Sequence, residues 1–221
     1  MKFTLIYDGE LPAGSGSRAK YASRIRNQFH DQLADLWQSN VVLRQLARTA
    51  RTTPYHFGGG WLGGGPPSFE PIELPTYEDA MPPLLDGQTD LCGPIDKQGV
   101  GKIIPLVRHS LYLFCDVDIL FLRHDEPFKL LKRGGDLDNR IKTLFDSLRM
   151  PDNVSELGGE VVAADPLYVL LEDDALIKGF SVKTGKLLGV RKDKPHHVRL
   201  TIEVAVKVSR VRSQNMCLTS D

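Results

Sequence analysis

The run Val198-Arg199-Leu200-Thr201-Ile202-Glu203-Val204-Ala205-Val206-Lys207-Val208 places an aliphatic residue at every second position. Successive side chains of an extended chain point to opposite faces, so this pattern predicts a strand with one buried and one solvated face. Working back from it, Ser110 to Leu122 is rich in β-branched and aromatic residues and long enough to be a central strand. Leu167 to Leu171 reads as a second buried strand. Leu176 to Lys183 reads as a third, turned by Thr184-Gly185-Lys186, and residues 3–7 form a short opening strand.

Helical spacing interleaves with these strands. Tyr21, Ile25, Phe29, Leu33 and Leu36 fall at four- and three-residue steps and make one apolar stripe, with Ser17 as its N-cap. Arg18, Lys20, Arg24 and Arg26 crowd the start of that helix, where the dipole disfavours cations, so they indicate a nearby polyanion or a solvated face. A second helix runs from Val41 to Arg51 with Leu43 and Leu46 inward. A third follows Gly134-Gly135, with Ile141, Leu144, Phe145 and Leu148 as its stripe. Strands and helices around one apolar core give an α/β (α+β) class, a mixed β-sheet packed against helices, in a single domain over 1–221.

Residues 52–105 stand apart. They hold 10 of the chain's 20 glycines and 9 of its 14 prolines, which predicts an irregular insertion. Its glycine run lacks the Lys-Ser/Thr of a phosphate-binding loop. No apolar run approaches the ~20 residues that span a bilayer. The start of the chain is apolar too briefly for a signal peptide. Cys92, Cys115 and Cys217 show no metal or disulfide spacing, as fits reduced thiols in a cytoplasmic protein.

The chemistry concentrates in Asp136-Leu137-Asp138-Asn139-Arg140-Ile141-Lys142, continuing to Asp146. One carboxylate at a helix start is an ordinary cap. Two carboxylates and an amide within four residues exceed what a cap needs, and clustered oxygens suit Mg²⁺ or Mn²⁺. Lys142 stands four residues from both Asp138 and Asp146, on the same helix face. Its ammonium forms a surface ion pair or offsets charge on a bound phosphate. Asp173 and Asp174 follow the buried strand and can supply a further carboxylate, allowing a site that activates water for phosphodiester hydrolysis. Asp116 and Asp118 share a strand face and are a competing pair that could bind metal, but Phe114 and Leu120 share that face and favour structural, edge or hydrogen-bonded acids. His196-His197 is a weak metal candidate.

These two motifs, Asp136-Leu-Asp138-Asn139-x-x-Lys142-x-x-x-Asp146-x-Leu148 and, later, Asp173-Asp174-Ala175 before a strand, resemble the RusA-type Holliday-junction resolvases. The resemblance spans roughly residues 105–208. It implies a RusA-like fold and a Mg²⁺-dependent endodeoxyribonuclease that resolves four-way DNA junctions as a homodimer. Asp136, Asp138 and Asp174 are implied as catalytic metal ligands and Lys142 as a catalytic residue. Asn139, Asp146 and Asp173 receive supporting roles. Action on other branched or single-stranded nucleic acid, or DNA binding without turnover, are the alternatives.

The net charge of zero excludes no such partner, because it is a cancellation. Residues 1–51, 52–96, 97–149, 150–177 and 178–221 carry +4, −7, +3, −7 and +7. One acidic block is the Gly/Pro segment and the other ends at Asp173-Asp174. The remainder predicts a basic DNA face around an acidic, metal-filled notch.

Overall fold

A computed structural model describes residues 1–14, 16, 18–52, 88–124, 136–189 and 196–219 of the chain. In order, these form β1 (Lys2–Glu10), α1 (Arg18–Ser39), α2 (Val41–Thr49), β2 (Ile95–Lys97), β3 (Gly101–Val107), β4 (Leu113–Arg123), α3 (Asp136–Leu148), β5 (Leu167–Leu171), β6 (Ile177–Lys186) and β7 (His197–Val208). The class is mixed α+β. One sheet has the order β1-β7-β4-β6 and the other β2-β3-β5.

The alternating run near the C-terminus is β7, and it lies inside the larger sheet, antiparallel to β1 on one side and to β4 on the other. Val198, Leu200, Ile202, Val204 and Val206 are buried, beside Leu113, Cys115, Val117, Ile119 and Phe121 of β4. Of the interleaved residues, Arg199, Glu203 and Lys207 are exposed, and Thr201 and Ala205 are half-buried. β4 is central, as its composition predicts, but begins at Leu113 rather than Ser110. His109–Leu111 form a short 3-10 turn, and Tyr112 follows in the left-handed region at φ 54°. β6 pairs parallel to β4 along its length.

Two sequence expectations need correction here. Thr184, Gly185 and Lys186 do not turn the chain; they pair with Phe121, Leu122 and Arg123 and complete β6. Continued hydrogen bonding to a long neighbour overrides the local turn preference of Thr-Gly-Lys. The irregular segment expected over 52–105 also ends too late, because β2 and most of β3 lie within it. Pro105 is tolerated in β3 because β2 pairs only with Gly101–Ile103, leaving Pro105 flanked by β5 alone. Residues 53–87, the Ser17 N-cap and the Gly134-Gly135 break lie outside the described residues.

The helices cover one face of the larger sheet. Ile25, Phe29 and Leu33 of α1 are fully buried, joined by Trp37, while Tyr21 and Leu36 are only partly covered. Asn40 separates α1 from α2 and caps the latter, accepting from the Val42 and Leu43 amides at 2.9 and 3.1 Å. Leu43 and Leu46 face inward. In α3, Ile141, Leu144 and Leu148 are buried and Phe145 is partly so, set edge-on to Phe180 of β6 at 5.2 Å. The loop after α3 packs against α1. At Gly158 (φ 58°) a Cβ would stand 2.3 Å from the Lys20 backbone nitrogen, so only glycine fits there.

Three polar side chains, Ser23, Arg26 and His30, lie among the buried residues of α1. The Arg26 guanidinium, 2% exposed, donates to the carbonyls of Asp146 at 2.5 Å and Arg149 at 3.1 Å. It thereby satisfies carbonyls at the α3 C-terminus, where a cation also meets the negative end of the dipole. Burial, with Arg149 nearby, lowers its pKa to about 10, so it stays charged at neutral pH. His30 accepts from the Tyr168 amide through Nδ1 at 3.0 Å, which requires a neutral ring.

Replacing Arg26 with Met leaves both carbonyls buried without a donor, at an expected cost of about 2–4 kcal/mol in urea denaturation. A loss below about 0.5 kcal/mol would contradict the clamp. His30 gives a pH prediction, since burial lowers its pKa. Its contribution is complete above the unfolded value of ~6.5 and fades as pH falls below it toward the folded pKa. The wild-type melting temperature should therefore drop on acidification from pH 7 to 5.5 more steeply than that of His30→Gln. Equal slopes would show that His30 is not the group responsible.

Candidate metal and phosphate site

Asp136 opens α3, and its side chain lies outside those described. Two residues on, Asp138 is exposed and pairs with Lys142 at 2.8 Å. Asn139 is exposed, and its carbonyl accepts from the Thr143 hydroxyl. The four-residue steps seen in the sequence thus resolve unequally. Lys142 pairs with Asp138, while Asp146 turns to Arg18 at 2.7 Å and Arg149 at 3.8 Å. Asp146 is a fastener between α1 and α3, which is a supporting role of a structural kind.

Asp173 and Asp174 follow β5. Asp173 caps the short turn Asp174–Leu176, accepting from the Ala175 amide at 2.7 Å. Asp174 is exposed, and none of the described residues donates to its carboxylate. β5 is placed by its parallel pairing with β3, and the backbone beyond it is held by the Glu172 amide on the Val107 carbonyl. The Met150 amide donates to the Leu171 carbonyl at 2.8 Å, tying the end of α3 to the end of β5. α3 also packs against the turn Asp174–Leu176. Two segments far apart in sequence therefore become neighbours. Among the described residues, no three His, Cys, Asp or Glu side chains are assembled as a metal cage.

The competing candidates are committed elsewhere. Asp116 binds Lys207, and Asp118 accepts from the Ser181 hydroxyl at 2.5 Å. His197 pairs with Asp8 at 2.7 Å, and Asp8 also holds Arg199. Cys92 and Cys115 are buried, and burial raises both thiols to about 12, too high for ready thiolate chemistry. No described helix is long and apolar enough to cross a membrane.

At the arginine-rich start of α1, Lys20 and Arg24 lie on an exposed face, as the solvated reading expects. Arg18 meets Asp146, Arg24 meets Glu160 at 2.8 Å, Lys20 approaches Glu160 at 3.9 Å, and Arg26 is buried. Arg149 in turn holds Asp152 and Glu156 at 3.1 and 2.9 Å. Much of the acidic block before Asp173 therefore neutralises cations of the framework instead of surrounding a metal. Arg26 is the positioning residue that the sequence reading missed. A charged residue adjoining Ile25 and preceding Phe29 by three, on the apolar stripe, was its available signal.

No family model matches the chain, and neither does any curated protein or solved structure.

Lys142 and Asp138 are 54% and 61% exposed. Such a pair contributes about 0.3–0.5 kcal/mol. Lys142→Met is therefore expected to leave the melting temperature within about 2 °C of wild type. A drop of ~5 °C or more would assign Lys142 a structural role.

Proposed function

We propose that the chain is a Mg²⁺-dependent, structure-specific DNA endonuclease of the RusA type, acting on four-way junctions by paired phosphodiester hydrolysis. The observation that carries the proposal is the packing of α3 on the turn Asp174–Leu176, with Asp138, Lys142 and Asp174 open to solvent. This brings together in the fold the two motifs on which the resemblance rests.

The donor chemistry fits a hard divalent ion. The candidate ligands Asp136, Asp138 and Asp174 offer only oxygen, and the Asp174 carboxylate has no donor among the described residues. When bound, Mg²⁺ or Mn²⁺ supplies Lewis-acid chemistry, lowering the pKa of water and offsetting charge on phosphoryl oxygens. The remaining work falls to the chain itself. Asp138 is held by one exposed lysine, so its carboxylate can be released without uncovering a buried group. Lys142 can then turn its ammonium toward a phosphate and stabilise charge that builds during cleavage. Asp146 and Arg26 fix the far end of α3, so the residues at its start keep their place relative to the Asp174 turn. Two such sites in a homodimer would nick the two strands of a junction symmetrically.

Asp138→Asn and Asp174→Asn are each expected to reduce Mg²⁺-dependent cleavage of a synthetic four-way junction by about a hundredfold or more. Both should still bind the junction and melt as wild type does. Full cleavage by either variant would sink the assignment.

A further inference from the structure

At the end of the larger sheet where β4 and β6 begin and β7 ends, a second feature faces solvent beside the acidic turn. Tyr112 is 41% exposed, and the guanidinium carbons of Arg210 and Arg212 each lie 5.9 Å from its ring centroid. Both arginines are exposed, and no carboxylate among the described residues pairs with either. The contrast with α1 is informative, because Arg18, Lys20 and Arg24 there all have acidic partners.

This arrangement is built into the fold. Asn215, with no exposed surface, donates to the carbonyls of Leu111 at 2.8 Å and Arg210 at 2.9 Å, and accepts from the Arg212 amide at 2.8 Å. The Tyr112 carbonyl takes both the amide and the hydroxyl of Ser209 at 2.9 Å. A buried, fully engaged amide thus holds two like charges against one ring, an arrangement that an anion between them would relieve. A shallow pocket of about 410 Å³ opens beside them, lined in part by Thr52, Ser110, Tyr112, Arg212 and Asn215. The His109 amide donates to the Glu172 carboxylate at 2.8 Å, fastening the turn before Tyr112 to the residue that precedes Asp173.

We propose that Tyr112, Arg210 and Arg212 form a phosphate-binding edge that seats the nucleic-acid backbone beside the Asp173-Asp174 turn. The proposal rests on the nuclease reading and adds to it the surface that holds the substrate. Arginine forks suit phosphate oxygens, and an aromatic ring that stacks the guanidiniums fixes their orientation. Asn215 is a positioning residue, acting only through the loop that carries the two arginines.

The test is equilibrium binding of a fluorescent four-way junction to the full chain in EDTA, which needs no cleavage, across 50–300 mM salt. Arg210→Gln/Arg212→Gln should weaken binding about tenfold or more near 100 mM salt, with a log–log salt slope shallower by about 2. Asn215→Ala should weaken binding in the same direction with both arginines still present. Lys2→Gln/Lys102→Gln removes equal charge from elsewhere and should change affinity less than threefold. Unchanged affinity and slope in the arginine pair would overturn the proposal, as would an equal loss in the lysine pair or no binding by wild type. If the arginine pair loses binding while wild type never cleaves with Mg²⁺, the edge stands and the nuclease reading fails. If wild type cleaves but the arginine pair binds normally, the nuclease reading stands and the edge fails.

Discussion

The buried Arg26 guanidinium on the last carbonyls of α3 is the constraint from which the candidate site takes its position. A charge removed from water is costly unless it finds acceptors, and here Nε and one terminal nitrogen donate to carbonyls that would otherwise lack donors. The same contact fixes where α3 ends relative to α1. The Met150–Leu171 backbone bond then fixes that end relative to β5. What remains is the opposite half of the helix, where Asp138 and Lys142 stand in solvent and pair with each other. Rigidity at one end and exposure at the other suit a site that must accept a ligand.

How far the sequence discloses this depends on whether local pattern or tertiary contact decides each element. β7 and the apolar stripes of α1 and α3 were legible because period-two and 3.6-residue spacing recur over many positions, and β4 and β5 because their runs have strand-forming apolar composition. Leu43 and Leu46 of α2 were legible for the same reason. Thr184 to Lys186 was misread because a composition suited to a turn is here paired with β4. β3 was missed because Pro105 argues against a strand until the shortness of β2 is known. In the site, the spacing of Asp138, Lys142 and Asp146 was correct, but spacing could not show that Arg18 and Arg149 claim Asp146. Nor could it show that Asn215 gathers Arg210 and Arg212 around Tyr112.

The neutral total charge changes meaning once the ion pairs are placed. Acids between α3 and β5 pair with α1 and Arg149, so the acidic block over 150–177 is partly offset in space by cations of 1–51 and 97–149. Near the candidate site the exposed cations among the described residues include Lys142, paired with Asp138 at the start of α3, and the arginine pair at the sheet end near Asp173-Asp174. Around the candidate site the described residues place a small number of charges beside exposed carboxylates. This is the pattern expected where phosphate oxygens must be brought to a divalent ion without the protein binding every polyanion it meets.

The central claim is that the start of α3 and the turn after β5 share one divalent ion. The most direct measurement is a crystal structure of the protein soaked with Mn²⁺, read through the anomalous signal of the metal. The account predicts a peak bound by carboxylate oxygens of both Asp138 and Asp174 at roughly 2.0–2.2 Å. A well-ordered α3 and turn with no such peak, or Mn²⁺ bound only to acids elsewhere, would contradict it.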